Sequence, residues 1–143
     1  MTQTFSADIR KWTQKAIRNA ELVVRDAAAT TGELMSRRQP SIKETGTFQI
    51  GLVPVDTGEL VLSQVVSING GIVATGDPAY AAVLAGFEVG DTIEAAFTAP
   101  HAPFMEYGFT ADNGTLVSGR FFVREAVQQW SATVAATAAK FKD

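Results

Sequence analysis

The triplet Asp56-Thr57-Gly58 is the first place in the sequence where residue types and spacing could support catalysis. Aspartic proteases carry their catalytic carboxylate in such a triplet, and dimeric forms need one copy per chain. Here Pro54 precedes the triplet closely and a run rich in β-branched residues follows at once, which is not a setting between two core strands. A turn in which Asp56 accepts hydrogen bonds from nearby backbone N–H groups explains the same residues. We favour the turn and keep a protease as a competing hypothesis.

The other ionisable residues form no pattern typical of a catalytic, cofactor or metal site. His101 is the only histidine, so a two-histidine metal site is excluded, and we interpret it as a loop or capping residue. The absence of cysteine excludes disulfides and thiolate chemistry. Five acidic residues could offer oxygen ligands to a divalent cation, but their spacing favours a solvated acidic face: Glu88, Asp91, Glu94, Glu106 and Asp112. We predict no enzymatic activity, no cofactor and no metal.

Length and composition predict one ordinary domain. A chain of 143 residues, of which 46% are hydrophobic, can bury a substantial core. Its apolar runs fall far short of the ~20 residues that span a membrane. The N-terminal residues lead into charges rather than into an apolar signal core. We expect a single domain over residues 1–143, made in a cytoplasm and without a membrane partner.

Charge is segregated along the chain. Residues 1–43 contain eight Lys or Arg and four Asp or Glu, whereas residues 44–118 contain nine Asp or Glu and neither Lys nor Arg. Residues 119–143 contain four basic and two acidic residues. The near-neutral total argues against a general nucleic-acid coat. The central segment is expected to present a surface of one sign.

Two helices are predicted at the ends of the chain. The first begins after Ser6 as N-cap and stops before Pro40. Its apolar residues recur at helical spacing and are expected to pack on a core: Ile9, Trp12, Ala16, Ala20, Val23, Ala27 and Leu34. The second covers about residues 119–141, with Phe122, Ala126 and Trp130 in its apolar stripe.

The segment between the helices predicts a small antiparallel sheet. Leu60–Ile68 is rich in β-branched residues, and Asn69-Gly70 favours a tight turn into Ile72–Thr75. Asp91–Ala99 predicts a third strand, Thr47–Val53 a short one, and Ala79–Glu88 fits a helix or a strand equally. The fold class is therefore α+β: a long N-terminal helix, a small antiparallel sheet with a hairpin, and a C-terminal helix packed on the sheet.

Three short motifs follow one another along this framework. They are Pro54-Val55-Asp56-Thr57-Gly58-Glu59-Leu60, then Ala102-Pro103-Phe104-Met105-Glu106-Tyr107-Gly108, then Arg120-Phe121-Phe122-Val123-Arg124-Glu125-Ala126. In this order, after an N-terminal helix, they resemble the tail-component family of long-tailed (siphovirus) bacteriophages. The resemblance covers about residues 6–135.

The resemblance implies a structural virion protein rather than an enzyme. Family members form homo-oligomeric rings, commonly hexameric, at the head-proximal end of the tail. Such a ring terminates the tail tube protein and joins it to the head–tail connector (stopper or adaptor) protein. The particle assembles in the cytoplasm of a bacterial host, and DNA passes through the lumen without specific binding. The subtype stays open between tail terminator, tail completion and neck protein.

The same resemblance directs attention to three segments as contact surfaces, Val53–Leu60, Met105–Phe109 and the loop Thr110–Ser118. The interface residues expected there are Val53, Pro54, Val55, Asp56, Glu59, Met105, Glu106, Tyr107, Phe109, Asp112 and Asn113. Basic helices could meet acidic loops of the next subunit, or the acidic segment could line the lumen and repel DNA. The alternative function is a monomeric α+β domain that binds a small ligand or peptide, with Phe104–Phe109 as a pocket wall.

Overall fold

The computed structural model describes residues 5–39 and 49–141, which begin with one long helix. Helix α1 is Phe5–Met35. Asp8 lies in its first turn, where the helix dipole stabilises a negative charge. The predicted helix is confirmed, but Ser6 lies within it and is not its N-cap, because the helix already includes Phe5. Pro40 lies outside the described residues. Only the C-terminal half of α1 has buried residues, which are Ala27, Ala29, Gly32 and Met35.

The N-terminal half of α1 extends beyond the packed body. Every residue from 5 to 18 except Ala7 is exposed. The prediction that the whole apolar stripe packs on a core is therefore wrong for Ile9 and Trp12, which are 48% and 69% exposed. The reason is length, because a helix of 31 residues is about 46 Å long. A compact domain of this size has a radius of gyration of only about 14 Å.

A three-stranded antiparallel sheet has the order β4-β3-β5, with β3 at Gln64–Ile68, β4 at Gly71–Gly76 and β5 at Ile93–Phe97. The predicted hairpin is confirmed: Asn69 and Gly70 adopt φ angles of 52° and 80°, as the turn between β3 and β4 requires. A register shift between Val66 and Ser67 interrupts the pairing with β4, whereas pairing with β5 is continuous.

The strand predicted from Leu60 begins later than expected. Residues Glu59–Leu62 form a short helix, α2, because Gly58 takes the left-handed conformation (φ 84°) and its carbonyl accepts a hydrogen bond from the Leu62 N–H at 3.0 Å. The turn buries Leu60 and Val61, so packing overrides their β propensity. The ambiguous segment is helical, with α3 at Tyr80–Val83 and a 3-10 turn at Leu84–Gly86.

Two further pairs of short strands complete the sheet structure. Strand β1, Arg38–Gln39, pairs in parallel with β2, Val53–Pro54, so the predicted strand Thr47–Val53, whose first two residues lie outside the described ones, is found only at its end. Helix α4, Ala102–Tyr107, leads into a hairpin of β6, Gly108–Thr110, and β7, Leu116–Ser118. The segment predicted as the loop Thr110–Ser118 is therefore one turn and one strand of a hairpin.

The C-terminal segment contains two helices where one was predicted. Helix α5 is Phe122–Gln128 and helix α6 is Trp130–Lys140, and both pack against α1. The predicted packing on the sheet is limited to α5: Ala126 joins the cluster around Val66, and the Phe122 ring meets the Phe97 ring edge-on at 5.0 Å between centroids. The α+β class and the order of its elements are confirmed. Among the described helices, none has the length and apolarity needed to cross a membrane.

The buried side chains fall into two clusters. One joins α1 to the sheet and α5, with Ala29, Met35, Val66, Tyr80, Leu84 and Ala126. The other joins β2, α2, α4 and α5, with Val53, Leu60, Val61, Ala99, Ala102 and Phe122. The second cluster thus includes one buried residue from each of the three sequence motifs: Leu60, Ala102 and Phe122.

Candidate interaction surface

The second and third motifs are joined by a buried carboxylate. Glu106 is 7% exposed, and its two carboxylate oxygens accept hydrogen bonds from the backbone N–H groups of Val123 (3.0 Å) and Arg124 (2.8 Å). These N–H groups lie in the first turn of α5, where a helix has no internal acceptors and carries positive partial charge. Glu106, expected at an interface, therefore stabilises a helix start inside the subunit.

The backbones of the same two motifs also lie in direct contact. The N–H groups of Arg120 and Phe121 donate to the carbonyl oxygens of Met105 (2.8 Å) and Glu106 (3.1 Å). A Cβ atom on Gly119 would lie 2.4 Å from the Glu106 carbonyl oxygen. A Cβ on Gly108, which has φ +85°, would lie 2.4 Å from the Val117 carbonyl oxygen. This approach is possible only with glycine at both positions.

Arg120 is buried at the contact between the second and third motifs and makes hydrogen bonds there. Its side chain is 4% exposed and donates to the Ser118 carbonyl, while its own carbonyl accepts a hydrogen bond from the Gly51 N–H at 2.6 Å. Burial lowers the pKa of the Arg120 guanidinium. The neighbouring Arg124 lies over the Phe121 ring at 5.0 Å from its centroid. The third motif is thus a structural support for the hairpin and α4.

The first motif forms a turn ahead of α2. Asp56 and Glu59 are exposed, Val55 is half-buried, Pro54 pairs with Gln39, and Val53 is fully buried. The Thr57 hydroxyl accepts a hydrogen bond from the Glu59 N–H at 3.4 Å. The triplet therefore lies in a turn that leads into a short helix, which fits the turn interpretation of the sequence.

The end of the molecule built from α4 and the hairpin β6–β7, here called the hairpin end, brings most of the predicted interface residues together. Tyr107, Asp112 and Asn113 are exposed, whereas Met105 and Phe109 are half-buried. The rings of Phe104 and Phe109 meet edge-on at 6.1 Å. Phe104, Tyr107 and Leu116 are 54%, 72% and 81% exposed, so the hairpin end carries apolar side chains at the surface.

A second apolar surface was missed by the sequence analysis. Residues 5–18 of α1, here called the arm, expose Phe5, Ile9 and Trp12, which lie on one side at i, i+4 and i+7. The arm also carries Arg10, Lys11, Lys15 and Arg18 against a single acid, Asp8. The signal was present in the sequence, because the predicted helix was longer than a domain of this size can cover.

A cavity of about 560 Å³ lies between the C-terminal half of α1, the sheet and α5, and we call it the groove. Two of its apolar lining residues, Val127 and Trp130, are 54% and 38% exposed. Its lining is mainly apolar and includes Ala28, Met35, Leu84, Ile93, Ala95, Val123, Val127 and Trp130. The groove could not be predicted from the sequence, because it is formed only where these elements pack together.

A few polar groups accompany the apolar lining of the groove. The Tyr80 hydroxyl donates to Gln64 Oε1 at 2.6 Å, and burial raises the pKa of this tyrosine. Thr31 Oγ1 is buried and has no hydrogen-bonding partner among the described residues. Asp91 lies at the rim, where its carboxylate accepts hydrogen bonds from Asn69 Nδ2 (2.7 Å) and the Glu88 N–H (2.8 Å). These two bonds lower the pKa of Asp91.

Some basic residues of the N-terminal segment bind groups of the acidic central segment within the same subunit. Arg38 pairs with Asp77, and Arg25 Nε donates to the Phe87 carbonyl at 2.9 Å. Among residues 5–39 and 49–141, no group of three or more acids and histidines is placed to hold a metal ion. His101 occupies the N-cap position of α4, but its side chain makes no capping hydrogen bond.

Comparison with known proteins finds no matching family model, no similar curated protein and no similar solved structure. The resemblance to phage tail components therefore rests on the three motifs and their order.

Proposed function

We propose that the protein is a structural virion subunit that forms a ring at the head-proximal end of a siphovirus tail, where it terminates the tail tube and contacts the head connector. The observation that carries the proposal is the presence of two different exposed apolar surfaces, the arm and the hairpin end. A subunit that contacts its neighbours in a ring and also contacts a second ring or the tail tube needs more than one such surface, whereas a monomer of this size has no need of either.

The packing of the motifs supports the same proposal. All three contribute to one buried cluster, and Glu106 ties the second to the third. Their order and spacing in the sequence therefore correspond to one physical unit that supports the hairpin end. In the proposed ring, this end contacts the neighbouring ring or the tail tube protein, and DNA passes through the lumen without specific binding.

Electron microscopy of particles assembled without this protein tests the proposal. Overlong tails are expected for a tail terminator, and finished tails beside unattached full heads for a joining or completion protein. Purified protein at micromolar concentration, or protein bound to tail tubes, is expected to have the mass of a ring. Normal particles without the protein would overturn the proposal.

The groove favours a second candidate function, a monomeric domain that binds a small apolar ligand. Its volume of about 560 Å³ lies within the range of ligand sites, roughly 300–1,000 Å³. The predicted pocket wall, Phe104–Phe109, does not line this groove. A strict monomer in solution and on tail tubes, which binds an apolar fluorescent probe at a ratio of one, would favour this candidate over the ring.

A further inference from the structure

We infer that the arm of one subunit docks in the groove of the next copy of this chain, and that this contact builds the ring. The inference rests on the proposed function and adds to it the two surfaces that meet. Phe5, Ile9 and Trp12 form an apolar stripe on the arm, with 81%, 48% and 69% of each side chain exposed. A single helix standing in water is marginally stable, so such a stripe calls for a partner surface.

The groove matches the arm in size and character. A cavity of about 150 Å³ is enough for one benzene ring in a protein core. The groove, at about 560 Å³, has space for the side chains of Ile9 and Trp12 together. Two exposed apolar residues, Val127 and Trp130, belong to its lining and would be covered when the arm docks.

The charges of the two surfaces favour contact between an arm and a groove rim over contact between two arms. The arm has four basic residues and one acid, and the loop at the rim of the groove contributes Glu88 and Asp91. That loop belongs to the segment 44–118, which has neither Lys nor Arg. A basic residue at the same rim, Arg25, is engaged by the Phe87 carbonyl and by the Glu21 carboxylate, at 3.9 Å. Two arms would repel each other, whereas an arm and a groove rim attract.

The arm cannot reach the groove of its own subunit. The residues of α1 that line the groove fall between Val24 and Met35, and the arm is the N-terminal part of the same unbroken helix. At 1.5 Å per residue, Trp12 lies about 18 Å along the axis from Val24. An arm that docks in this groove must therefore belong to another copy. The contact is head-to-tail, since arm and groove are different surfaces, and such contacts close into rings or extend into filaments.

Site-directed cross-linking in the full chain tests this arrangement, and the chain offers a clean background because it has no cysteine. One variant carries Trp12→Cys and the other carries Val127→Cys; both residues are exposed, so the fold should persist. A second pair, Ile9→Cys with Trp130→Cys, covers a shift of the arm by about one turn. Mild oxidation of a mixture of the two members of a pair is expected to give disulfide-linked heterodimers. The double variant should give a ladder that ends at the ring size.

The control replaces Leu116 at the hairpin end, Leu116→Cys, and is expected not to cross-link with Trp12→Cys. If Trp12→Cys forms homodimers at the same rate as the mixed pair, two arms meet and the inference is overturned. If native mass spectrometry shows rings but neither pair cross-links, the arm–groove contact is wrong while the proposed ring stands. If the protein is monomeric alone and on tail tubes, both fail.

Discussion

The carboxylate of Glu106 accepts a hydrogen bond from the backbone N–H of Arg124 at 2.8 Å, and so ties helix α4 to the first turn of α5. A second bond, from Val123, uses the other oxygen. A buried carboxylate with both oxygens engaged at a helix N-terminus supplies hydrogen bonds to two otherwise unpaired donors. These two hydrogen bonds explain why a glutamate lies inside the subunit. They also join the second sequence motif, which contains Glu106, to the third.

Replacing this carboxylate is expected to destabilise the fold. Glu106→Ala leaves two buried N–H groups without their acceptor, so the free energy of unfolding should fall by about 2 kcal/mol. Glu106→Gln retains one amide oxygen and should cost less. Urea denaturation followed by circular dichroism measures both. The matched control is Glu59→Ala, an exposed acid, which is expected to change stability by less than about 0.5 kcal/mol. Equal effects at both positions would contradict the capping role.

The contact between the hairpin and α4 predicts a sharp difference between glycines. Gly119→Ala places a methyl group 2.4 Å from the Glu106 carbonyl oxygen, so the backbones must separate. The expected loss is about 2 kcal/mol or more. The same change at Gly86 meets nothing within 4 Å and should be nearly neutral. Thermal unfolding compares the two variants, and a Gly119→Ala protein as stable as Gly86→Ala would exclude a close approach at this point.

The features that could be predicted were those encoded by local signals. The hairpin followed from Asn69-Gly70, and α1 from its helical periodicity. A second Asn-Gly pair, Asn113-Gly114, marks the turn of β6–β7, but the flanking strands have only three residues each, so their alternation is too short to recognise. The segment Glu59–Leu62 has strand composition, and only its packing and the left-handed Gly58 make it a helix.

The candidate sites were less accessible to sequence reasoning because they depend on how elements meet. Charged residues are rarely buried, so the sequence favoured exposure of Glu106. Its burial follows from the tertiary placement of α5. The groove involves α1, β5 and α5 and has no local signature at all. The arm, in contrast, was implied by helix length, since a helix of about 46 Å cannot be covered by one small domain.

The hydrogen bonds of Asp91 at the rim of the groove predict a lowered pKa and a pH-dependent contribution to stability. Hydrogen bonds from Asn69, and secondarily from the Glu88 N–H, lower the pKa of Asp91. A carboxyl group with a depressed pKa in the folded state adds stability above its unfolded pKa. That contribution is lost as the pH falls through the folded pKa. NMR titration should place the Asp91 pKa below that of an ordinary aspartate. Asn69→Gly, which keeps the left-handed turn, should raise it towards the ordinary value. An unchanged pKa in this variant would contradict the assigned cause.

Charge reversal at one glutamate distinguishes the two roles considered for the acidic segment, which are contact with the basic helix of a neighbouring subunit and lining of the lumen. Glu88 follows Phe87, which lines the groove, whereas Glu59 lies within the first motif, and both glutamates are exposed. If the basic arm meets the rim, Glu88→Lys should weaken ring association about tenfold, because it replaces an attraction by a repulsion. Glu59→Lys, in the motif expected to contact a neighbouring ring, should leave the arm–groove contact unchanged. The effect should shrink as salt screens the charges. Analytical ultracentrifugation over a range of salt concentrations measures this. Intact rings with slower DNA passage in both variants would favour an acidic lumen instead.

The two tryptophans make the docking visible by fluorescence. Trp12 is on the arm and Trp130 beside the groove, and both are exposed in the isolated subunit at 69% and 38%. Docking removes both indoles from water, so emission should shift to shorter wavelength as the protein concentration rises through the association range. The variants Trp130→Phe and Trp12→Phe report each indole separately, and each should show the shift. Ile9→Lys on the arm should abolish it, whereas Leu116→Lys at the hairpin end should not. Emission that stays constant while the mass rises to that of a ring would mean that subunits associate through other surfaces.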